Sequence, residues 1–317
     1  MNKAELVEYF RTHPSAFKRG SSTVASNTHS TIEDVKIVRK IFSTEERKNC
    51  NKAKEDTFNY PTPKILILDI ETAPIKAYVW RVWKENIRDE QVIADWFIIC
   101  WSAKWLYAPE TKGECLTPEE IQKEDDSRII KLLWKLLDEA DIVVAHNGLG
   151  FDLPRINSRF IINGMQPPSS YKVIDTLQIA KKQFGFTHNN LDALASKFGI
   201  ASKLKTEFSL WENCLYGDPK SLKYMLKYNK RDVDILEDLY LVLRPWIKNH
   251  PNVGNYADTT QPLCSSCGSH KVELLPNKYY YTSVGKYMLY RCKECGALSR
   301  GRVNMRKHSV RNTSPVG

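Results

Sequence analysis

The segment KILILDIETAP, residues 64–74, carries two carboxylates at the end of an apolar run. Side chains two positions apart on a β-strand point to the same face, so Asp69 and Glu71 are predicted to be neighbours. Adjacent carboxylates repel each other and lose hydration when they are buried, and a divalent cation removes both penalties. Oxygen ligands of this kind suit Mg²⁺ or Mn²⁺. The pair therefore indicates a metal site, and the alternative is a strand end that reaches solvent.

A further acid follows another apolar segment. The sequence DIVVAHNGLGFDLPRI begins with a predicted strand, continues through a glycine-containing turn and reaches Asp152 at the start of the next predicted helix. Ligands of open α/β sheets gather beyond the carboxyl ends of the strands, which favours a ligand-binding role for Asp152. The alternative is a simple helix N-cap, a role for which Asn147 is also available.

A late helix in LKYNKRDVDILEDLY supplies the last group of this kind. Tyr228 and Asp232 are four positions apart and share one helix face. Taken alone, they would be an ordinary surface pair. Three other acids of this helix are predicted to lie on other faces as solvated charges: Asp234, Glu237 and Asp238.

Two CxxC pairs, CSSC and CKEC, lie 24 residues apart near the end of the chain. Four thiolates bind Zn²⁺ tetrahedrally, and without a recognisable secretory signal this spacing favours metal over disulfides. The segment resembles a zinc ribbon, whose small core needs the metal in order to fold. We expect one structural Zn²⁺ on Cys264, Cys267, Cys292 and Cys295. The other cysteines are scattered: Cys50, Cys100, Cys115 and Cys214.

Basic and aromatic residues interleave around these cysteines, namely Tyr279, Tyr280, Tyr281, Tyr287, Tyr290, Arg291, Arg300 and Arg302. Residues 248–317 hold 11 Lys and Arg against 3 Asp and Glu, an excess of 8 within a total net charge of +10. Such a surface suits base stacking and phosphate pairing, so we expect a nucleic-acid partner. The alternatives are a merely solvated tail and tyrosines of which half form the core of the ribbon.

Strands and helices alternate from residue 64, which predicts an α/β domain whose helices cover a mostly buried sheet. Predicted strands occupy 64–70, 95–107, 141–146 and 172–175, and predicted helices occupy 126–138, 152–163, 175–183, 190–199 and 218–242. The predicted domains are a small helical unit at 1–42, a linker at 43–63, the α/β domain at 64–250, the zinc ribbon at 258–303 and a basic tail at 304–317.

The N-terminal unit resembles a helix-turn-helix, with a plain three-helix packing unit as the alternative. Ser30 and Glu33 are spaced as a capping box for its last helix. With 42% apolar and 26% charged residues, the composition is that of a soluble globular protein without membrane contact. The N-terminus lacks a signal-peptide pattern, so we expect a cytoplasmic protein, either associated with the nucleoid or present in a phage-infected cell.

The acids together resemble the DEDD superfamily of 3′–5′ exonucleases, also called DnaQ-like, over about residues 64–245. The positions that match its three motifs are Asp69 and Glu71 (D-x-E), Asn147 through Asp152 (N-x₃-F/Y-D), and Tyr228 through Asp232 (Y-x₃-D). The histidine subclass needs His where this chain has Lys227, so the tyrosine subclass is indicated. The resemblance implies a ribonuclease H-like mixed sheet flanked by helices.

The resemblance also implies two Mg²⁺ (or Mn²⁺) ions and hydrolysis of phosphodiester bonds. It implies that Asp69 bridges both ions, that Glu71 and Asp232 bind the ion beside the attacking water, and that Asp152 binds the other. Tyr228 would orient the water, because a phenol with a pKa of about 10 is a poor base at neutral pH. The implied substrate contacts are Thr72, His146, Asn147 and Phe151. Asp175, in VIDTL, is expected to cap a helix.

We therefore expect a metal-dependent 3′–5′ exonuclease that acts on single-stranded DNA ends. The motif set is similar to that of nucleases of phage and prokaryotic origin, which serve proofreading or end trimming, and a polymerase or replication protein is a possible partner. The alternatives are an RNA-directed or structure-specific nuclease of the same fold, or a non-catalytic nucleic-acid-binding module.

Overall fold

A computed structural model describes residues 1–2, 5–6, 9–10, 20–41, 61–200 and 204–306. The described residues form two compact units. The first comprises those within Met1–Lys48 and Lys64–Tyr240, and the second comprises those within Asn49–Pro63 and Leu241–Gly317. Most of the predicted linker and basic tail, together with Cys50, lie outside the described residues. In the described part of the chain, no helix has both the length and the apolarity to cross a membrane.

A five-stranded mixed sheet forms the centre of the first unit. The strands of this unit are β1 (Ile65–Thr72), β2 (Lys76–Ala77), β3 (Val92–Ala94), β4 (Ile98–Trp105), β5 (Lys112–Cys115), β6 (Ile142–Ala145) and β7 (Lys172–Asp175). The sheet order is β5-β4-β1-β6-β7. The strand β4 is antiparallel to β1 and β5, whereas β6 runs parallel to β1 and β7. Because β1 lies at the centre of the sheet, both of its faces are buried, which explains the unbroken run of apolar residues at its start.

Helices pack around this sheet. Those of the first unit are α1 (Ser21–Thr28), α2 (Ile32–Ile41), α3 (Pro118–Lys123), α4 (Ser127–Glu139), α5 (Asp152–Ile162), α6 (Thr176–Gln183), α7 (Leu191–Lys197), α8 (Phe208–Leu215) and α9 (Pro219–Leu243), whose last three residues belong to the second unit. The buried carboxylate of Asp126, just before α4, accepts the Ile98 N–H over 3.0 Å and pairs with Arg159 at 2.6 Å. One buried ion pair thus fixes α4, α5 and β4 together.

The sheet and its helices confirm the predicted α/β, ribonuclease H-like architecture. The predicted strand at 95–107 is shorter, Ile98–Trp105, because the Trp96 N–H bonds the Asp95 side chain at one end and Tyr107 takes a φ of 71° at the other. Five elements of the first unit were not predicted: β2, β3, β5, α3 and α8. The sequence of β5, KGEC, has no apolar alternation, so pairing with β4 makes it a strand.

In the N-terminal segment, α1 and α2 pack together with helical residues that precede them, at 5–6 and 9–10. Their buried apolar residues are Leu6, Phe10, Val24, Ala25 and Val35. The predicted capping box of Ser30 and Glu33 is wrong by one position: the Thr31 hydroxyl accepts the Asp34 N–H over 3.1 Å. The Ser30 hydroxyl instead donates to backbone carbonyls, which removes it from the cap. The helix-turn-helix interpretation stays a prediction.

Between β1 and β4 the chain leaves the sheet as a two-stranded ribbon. The Ala73 N–H donates to the Phe97 carbonyl over 2.9 Å, β2 pairs with β3, and the Tyr78 N–H donates to the Gln91 carbonyl over 2.9 Å. We call residues 73–97 the arm and residues 78–90 the arm tip. The arm starts where β1 ends, directly after Glu71 and Thr72.

The second unit is built on an antiparallel three-stranded sheet. Its strands are β8 (Val272–Thr282), β9 (Gly285–Cys292) and β10 (Leu298–Asn304), in the order β10-β9-β8. Its buried apolar cluster holds only Cys264, Cys292 and Ala297 among the described residues. So small a core supplies little hydrophobic stabilisation, which makes a cross-link or metal necessary.

Candidate active site and cysteine cluster

Three carboxylates meet at the carboxyl end of β1. Asp69 and Glu71 project from one face of the strand and Asp232 projects from α9, and each offers an oxygen within 4.8 Å of those of the other two. Asp232 is buried, whereas the strand acids are half-buried. Ile70, between them, is buried, as strand alternation requires. The predicted pair on β1 and the predicted acid of α9 thus form one cluster.

A residue that the sequence motifs did not mark holds Asp69 in place. Asn229 is fully buried, and its Nδ2 donates to Asp69 Oδ2 over 2.7 Å. Among the residues that the structure describes, no hydrogen-bond partner faces its Oδ1. Asn229 lies three positions before Asp232, so helical spacing puts both on one face of α9. That spacing is the signal by which the sequence could have identified it.

Asp152 lies beside this cluster. It is the first residue of α5, it is buried, and its Oδ1 accepts the Ile70 N–H over 3.2 Å. The pairing of β1 with β6 ends at Ile67, so the Ile70 N–H has no partner on β6 and donates to the Asp152 carboxylate. Asp152 is therefore not a helix N-cap. The pKa of Asp152 is raised to about 7, chiefly by burial and in smaller part by the charge of Asp175. The backbone N–H groups of Ile70 and of Asp152 itself act in the opposite direction and lower the pKa.

The end of β7 fixes the turn that precedes Asp152. The Asp175 carboxylate accepts two N–H groups of the first turn of α6, at 3.0 and 3.1 Å, which confirms the predicted helix cap. It also accepts the N–H groups of Asn147 and Leu149, at 3.1 and 3.2 Å, which the sequence did not suggest. Gly148 is required here, because a Cβ would lie 2.4 Å from the Cβ of the last residue of β6.

Tyr228 is buried one helical turn before Asp232. Its ring packs edge-on against Trp211 of α8, with centroids 6.3 Å apart and planes at 75°. The unpredicted helix α8 therefore sets the position of the phenol. The prediction that Tyr228 and Asp232 share one face of α9 agrees with this burial, since both side chains face inward.

The expected substrate contacts lie at the ends of two neighbouring strands, β1 and β6. Thr72 ends β1, and His146, Asn147 and Phe151 follow β6; all are half-buried except Asn147, which is exposed. The His146 Nδ1 lies 2.9 Å from the hydroxyl of Thr176, which donates to the carbonyl that ends β6. Because the Thr176 hydroxyl donates its one proton to that carbonyl, it accepts the His146 Nδ1–H.

A cation is held between two rings next to this turn. The Arg155 guanidinium carbon lies 4.1 Å from the centroid of the Phe151 ring and 5.0 Å from that of Trp96. Phe151 precedes Asp152 and Trp96 belongs to the arm. The contact therefore links α5 to the base of the arm.

The prediction of solvated charges beyond Asp232 is wrong for two acids. Glu237 is buried, pairs with Lys104 Nζ at 2.7 Å and accepts the Tyr107 N–H at 2.7 Å. Asp234 also pairs with Lys104, at 3.2 Å. Burial would lower the pKa of Lys104, but the two carboxylates raise it above its usual value. The reason is that β4 turns Lys104 towards α9, so these acids anchor the helix.

In the second unit, the four cysteines of the CxxC pairs form one group. The Sγ atoms of Cys264 and Cys295 lie 3.6 Å apart, as do those of Cys267 and Cys292, and all four lie within 4.8 Å of one another. A tetrahedral ion with Zn–S bonds of about 2.3 Å spaces its sulfurs about 3.8 Å apart. A disulfide needs about 2.05 Å. The geometry therefore fits a metal rather than disulfides.

A glycine follows each CxxC pair in the sequence. Gly268 and Gly296 have φ values of 74° and 81°, in the left-handed region that favours glycine. Their N–H groups donate to the carbonyls of Cys264 and Cys292, at 2.9 and 3.0 Å. The two turns have the same hydrogen bond and point both pairs of thiols inward. The repeated CxxCG pattern is a signal that the sequence analysis overlooked.

The remaining described cysteines are packing residues. Cys100 lies opposite Glu71 on one side and Cys115 on the other. Burial, followed by the hydrogen bond with Cys115, raises the pKa of Cys100 well above its usual value, and burial raises that of Cys214 to about 12. Protonated, buried thiols of this kind are unreactive.

The tyrosines of the second unit do not form its core. Tyr280 and Tyr281 are exposed, and the other four, Tyr256, Tyr279, Tyr287 and Tyr290, are only half-buried. Lys286 Nζ lies 3.7 Å from the ring centroid of Tyr279, and the Arg300 guanidinium carbon lies 4.4 Å from that of Tyr287. Cations and rings thus share a surface, and the alternative of core tyrosines is wrong.

The fold is that of a ribonuclease H-like domain, and an acidic cluster lies at the carboxyl end of its central strand. The RNase_H superfamily model matches residues 107–244, which include Asp152, Tyr228 and Asp232 but not β1. The chain is also 31% identical over 85 residues to a DNA polymerase III of the PolC type from Ureaplasma parvum serovar 3; this match covers 27% of the chain and 6% of the polymerase. These matches support a domain of the ribonuclease H-like, DnaQ-like superfamily.

A solved structure overlaps with a larger part of the chain. The family B DNA polymerase of the hyperthermophilic archaeon Pyrobaculum calidifontis aligns with a TM-score of 0.45 and 18% identity, over 59% of this chain and 25% of the polymerase. At that score the overlap by itself defines neither fold nor activity. The chain spans only a small fraction of the length of either polymerase.

Proposed function

We propose that this chain is a metal-dependent 3′–5′ exonuclease of the tyrosine subclass of the DEDD superfamily, which hydrolyses the ends of single-stranded DNA. The observation that carries the proposal is the cluster of Asp69, Glu71 and Asp232 at the carboxyl end of β1. Asp152, bound to the backbone of the same strand, completes the four acids. Losing a single carboxylate would suffice to remove catalysis, so a complete set argues against a purely binding module.

The acidic cluster fits hard divalent cations. An octahedral ion with oxygens at about 2.1 Å spaces its ligand atoms about 3–4 Å apart, close to the separation of the clustered acids. Asp69, Glu71 and Asp232 would hold one Mg²⁺ or Mn²⁺, and Asp152 with Asp69 a second. When bound, such ions lower the pKa of a water and offset the charge on the leaving oxygen.

The chain's own residues would bind and orient the reacting groups. Tyr228, fixed by Trp211, would position the attacking water by its hydroxyl. Asn229 would hold Asp69 in one orientation through its 2.7 Å hydrogen bond. His146 would contact the terminal nucleotide. Thr72, Asn147 and Phe151 would contact the same nucleotide.

The second unit would bind nucleic acid through a zinc ribbon. Its four thiols fit one structural Zn²⁺, and its cation-bearing tyrosines offer stacking surfaces near basic side chains. We propose a cytoplasmic protein of phage or prokaryotic type, acting at the nucleoid or in an infected cell. It would trim ends, or proofread beside a polymerase or other replication partner. The proposed domains are the helical unit at 1–42, the linker at 43–63, the nuclease at 64–250, the ribbon at 258–303 and the basic tail at 304–317.

Digestion of end-labelled strands tests the proposal. We expect the full-length protein with Mg²⁺ to shorten 5′-labelled single-stranded DNA progressively, and EDTA to stop it. Asp69→Ala and Asp232→Ala should abolish cleavage while leaving the protein folded, because each removes one of several crowded charges. Asp192→Asn, an exposed acid of α7, is the matched control and should cut normally.

Several results would reject the assignment. Near wild-type turnover by either variant would show that the cluster is not catalytic. A single internal cut would indicate an endonuclease, and strong preference for a matched RNA strand would indicate an RNA-directed enzyme of the same fold.

A further inference from the structure

The arm tip exposes large apolar side chains that a folded domain normally buries. Tyr78 is 74% exposed, Trp80 93%, Val82 98% and Trp83 77%. Tryptophan is highly buried on average, so two such rings within four residues are unusual. Exposed apolar patches of this size mark binding surfaces.

The base of the arm is fixed at the active site. The ribbon begins at Ala73, two residues after Glu71, and it is paired as far as Tyr78 and Gln91. At its other base, Trp96 stacks on Arg155, one turn of α5 beyond Asp152. Six residues of ribbon from Thr72 to Tyr78 extend at most about 20 Å. At about 3.4 Å per nucleotide, the tip therefore begins within about six nucleotides of the acids.

The cations of the arm lie among its exposed rings. The arm has four exposed cations, Lys76, Arg81, Lys84 and Arg88, and four acids, Glu85, Asp89, Glu90 and Asp95; all the acids follow the rings, so residues 76–84, which contain Trp80 and Trp83, hold three of the cations and no acid. Arg81 lies 3.5 Å from the half-buried Glu85, and Arg88 lies 3.7 Å from the exposed Glu90; both guanidinium groups are exposed, and such surface pairs contribute little free energy. Rings alternating with cations fit single-stranded nucleic acid, whose bases stack and whose phosphates pair.

We propose that the arm tip is a stacking platform for the single strand that leads into the active site, with Trp80 and Trp83 as its main contacts. The proposal rests on the proposed nuclease function for the direction of the strand. A strand whose 3′ end lies at Asp69 passes the arm several nucleotides upstream. Long strands therefore gain affinity from the arm, and a strand of three nucleotides does not.

Binding of fluorescein-labelled oligothymidylate tests the platform. The full chain carries Asp69→Ala to prevent cleavage, and anisotropy gives the Kd for strands of 12 and of 3 nucleotides. Base stacking on an aromatic ring changes affinity about fivefold or more per ring. We expect Trp80→Ala with Trp83→Ala to weaken binding of the 12-mer at least about tenfold and binding of the 3-mer not at all.

Two further pairs of substitutions separate stacking from apolar docking. Phenylalanine at both positions keeps a stackable ring, and we expect binding within about threefold of the parent. Leucine at both positions keeps apolar area without a ring, and we expect it to behave like alanine. Tyr216→Ala, an equally exposed ring of the same unit, is the control. Unchanged melting temperatures establish that the variants fold.

Each outcome decides the proposal. Parental affinity of the alanine pair overturns it, and parental affinity of the leucine pair assigns the tip to an apolar protein partner. Oligouridylate in parallel shows whether RNA binds equally. If the wild-type protein cuts no strand while the alanine pair binds more weakly, the nuclease function fails and the platform stands. If the protein cuts and the variants bind normally, the platform fails and the nuclease stands.

Discussion

Replacing Asn229 tests how the active-site acids are held. The side chain is fully buried, and its single described hydrogen bond goes to a carboxylate, Asp69 Oδ2, at 2.7 Å. Asn229→Leu keeps the volume and removes the donor. A hydrogen bond to a charged group contributes about 1.5–3 kcal/mol, so we expect a loss of that order in the free energy of unfolding of the metal-free protein. For a domain of this size, the melting temperature should fall by about 3–12 °C.

The same substitution should weaken metal binding. A side chain that orients a metal ligand typically changes metal affinity or activity 10- to 100-fold. We expect the Mg²⁺ or Mn²⁺ concentration for half-maximal cleavage to rise by about that factor, with the rate at saturating metal much less affected. Asn229→Asp should lower the free energy of unfolding of the metal-free protein further, since it adds a charge to three crowded carboxylates. Metal titrations of single-turnover cleavage and thermal melts in EDTA measure both effects.

A control and a clear contradiction complete this test. Asn163 donates its Nδ2 to the Arg159 carbonyl over 2.8 Å at the opposite end of α5 from Asp152, so Asn163→Leu should leave metal dependence unchanged. If Asn229→Leu also left metal dependence and metal-free stability unchanged, the orientation of Asp69 would not depend on this bond. Asn229 would then only fill space beneath the acids.

Three further predictions concern other parts of the molecule. Tyr228→Phe should slow single-turnover cleavage by about one to three orders of magnitude without weakening metal binding, because it removes only the hydroxyl; an unchanged rate would mean that Tyr228 merely packs. Truncation after His250 should reduce the affinity for long single strands and make that affinity less dependent on salt concentration, while the cleavage rate at saturating substrate is preserved. Replacing both Cys264 and Cys267 with Ser should have the same effects. If affinity depended on salt equally in the truncated and untruncated proteins, the ribbon would be assigned to a protein partner. Burial lowers the pKa of His250 to about 4, so the folded chain binds fewer protons than the unfolded chain below about pH 6.5, and acid destabilises it. Between pH 7 and pH 5, the free energy of unfolding measured with urea should fall by about 2 kcal/mol more in the wild type than in His250→Gln. An equal fall in both proteins would show that this ring has the same pKa in the folded and unfolded chain.

The sequence by itself identified the acids and the fold. Local rules suffice for both: alternation puts Asp69 and Glu71 on one face of β1, and helical spacing puts Tyr228 and Asp232 on one face of α9. The long apolar runs predict buried strands, and the spacing of the CxxC pairs predicts a four-thiol group. These features depend on neighbours in the chain, which is why they are visible before folding.

Only the tertiary structure showed what supports these residues. The Asn229 amide donates to Asp69, and the Asn147 N–H donates to Asp175. Glu237 is buried in a salt bridge with Lys104. Strand β5 exists because β4 pairs with it, and the rings of the arm tip are exposed because the ribbon leaves the sheet. Each of these features depends on contacts between segments that are distant in the sequence. Residues of the types involved are also common on solvated surfaces. Local pattern therefore specifies which side chains face inward, and the packing of segments decides what they meet there.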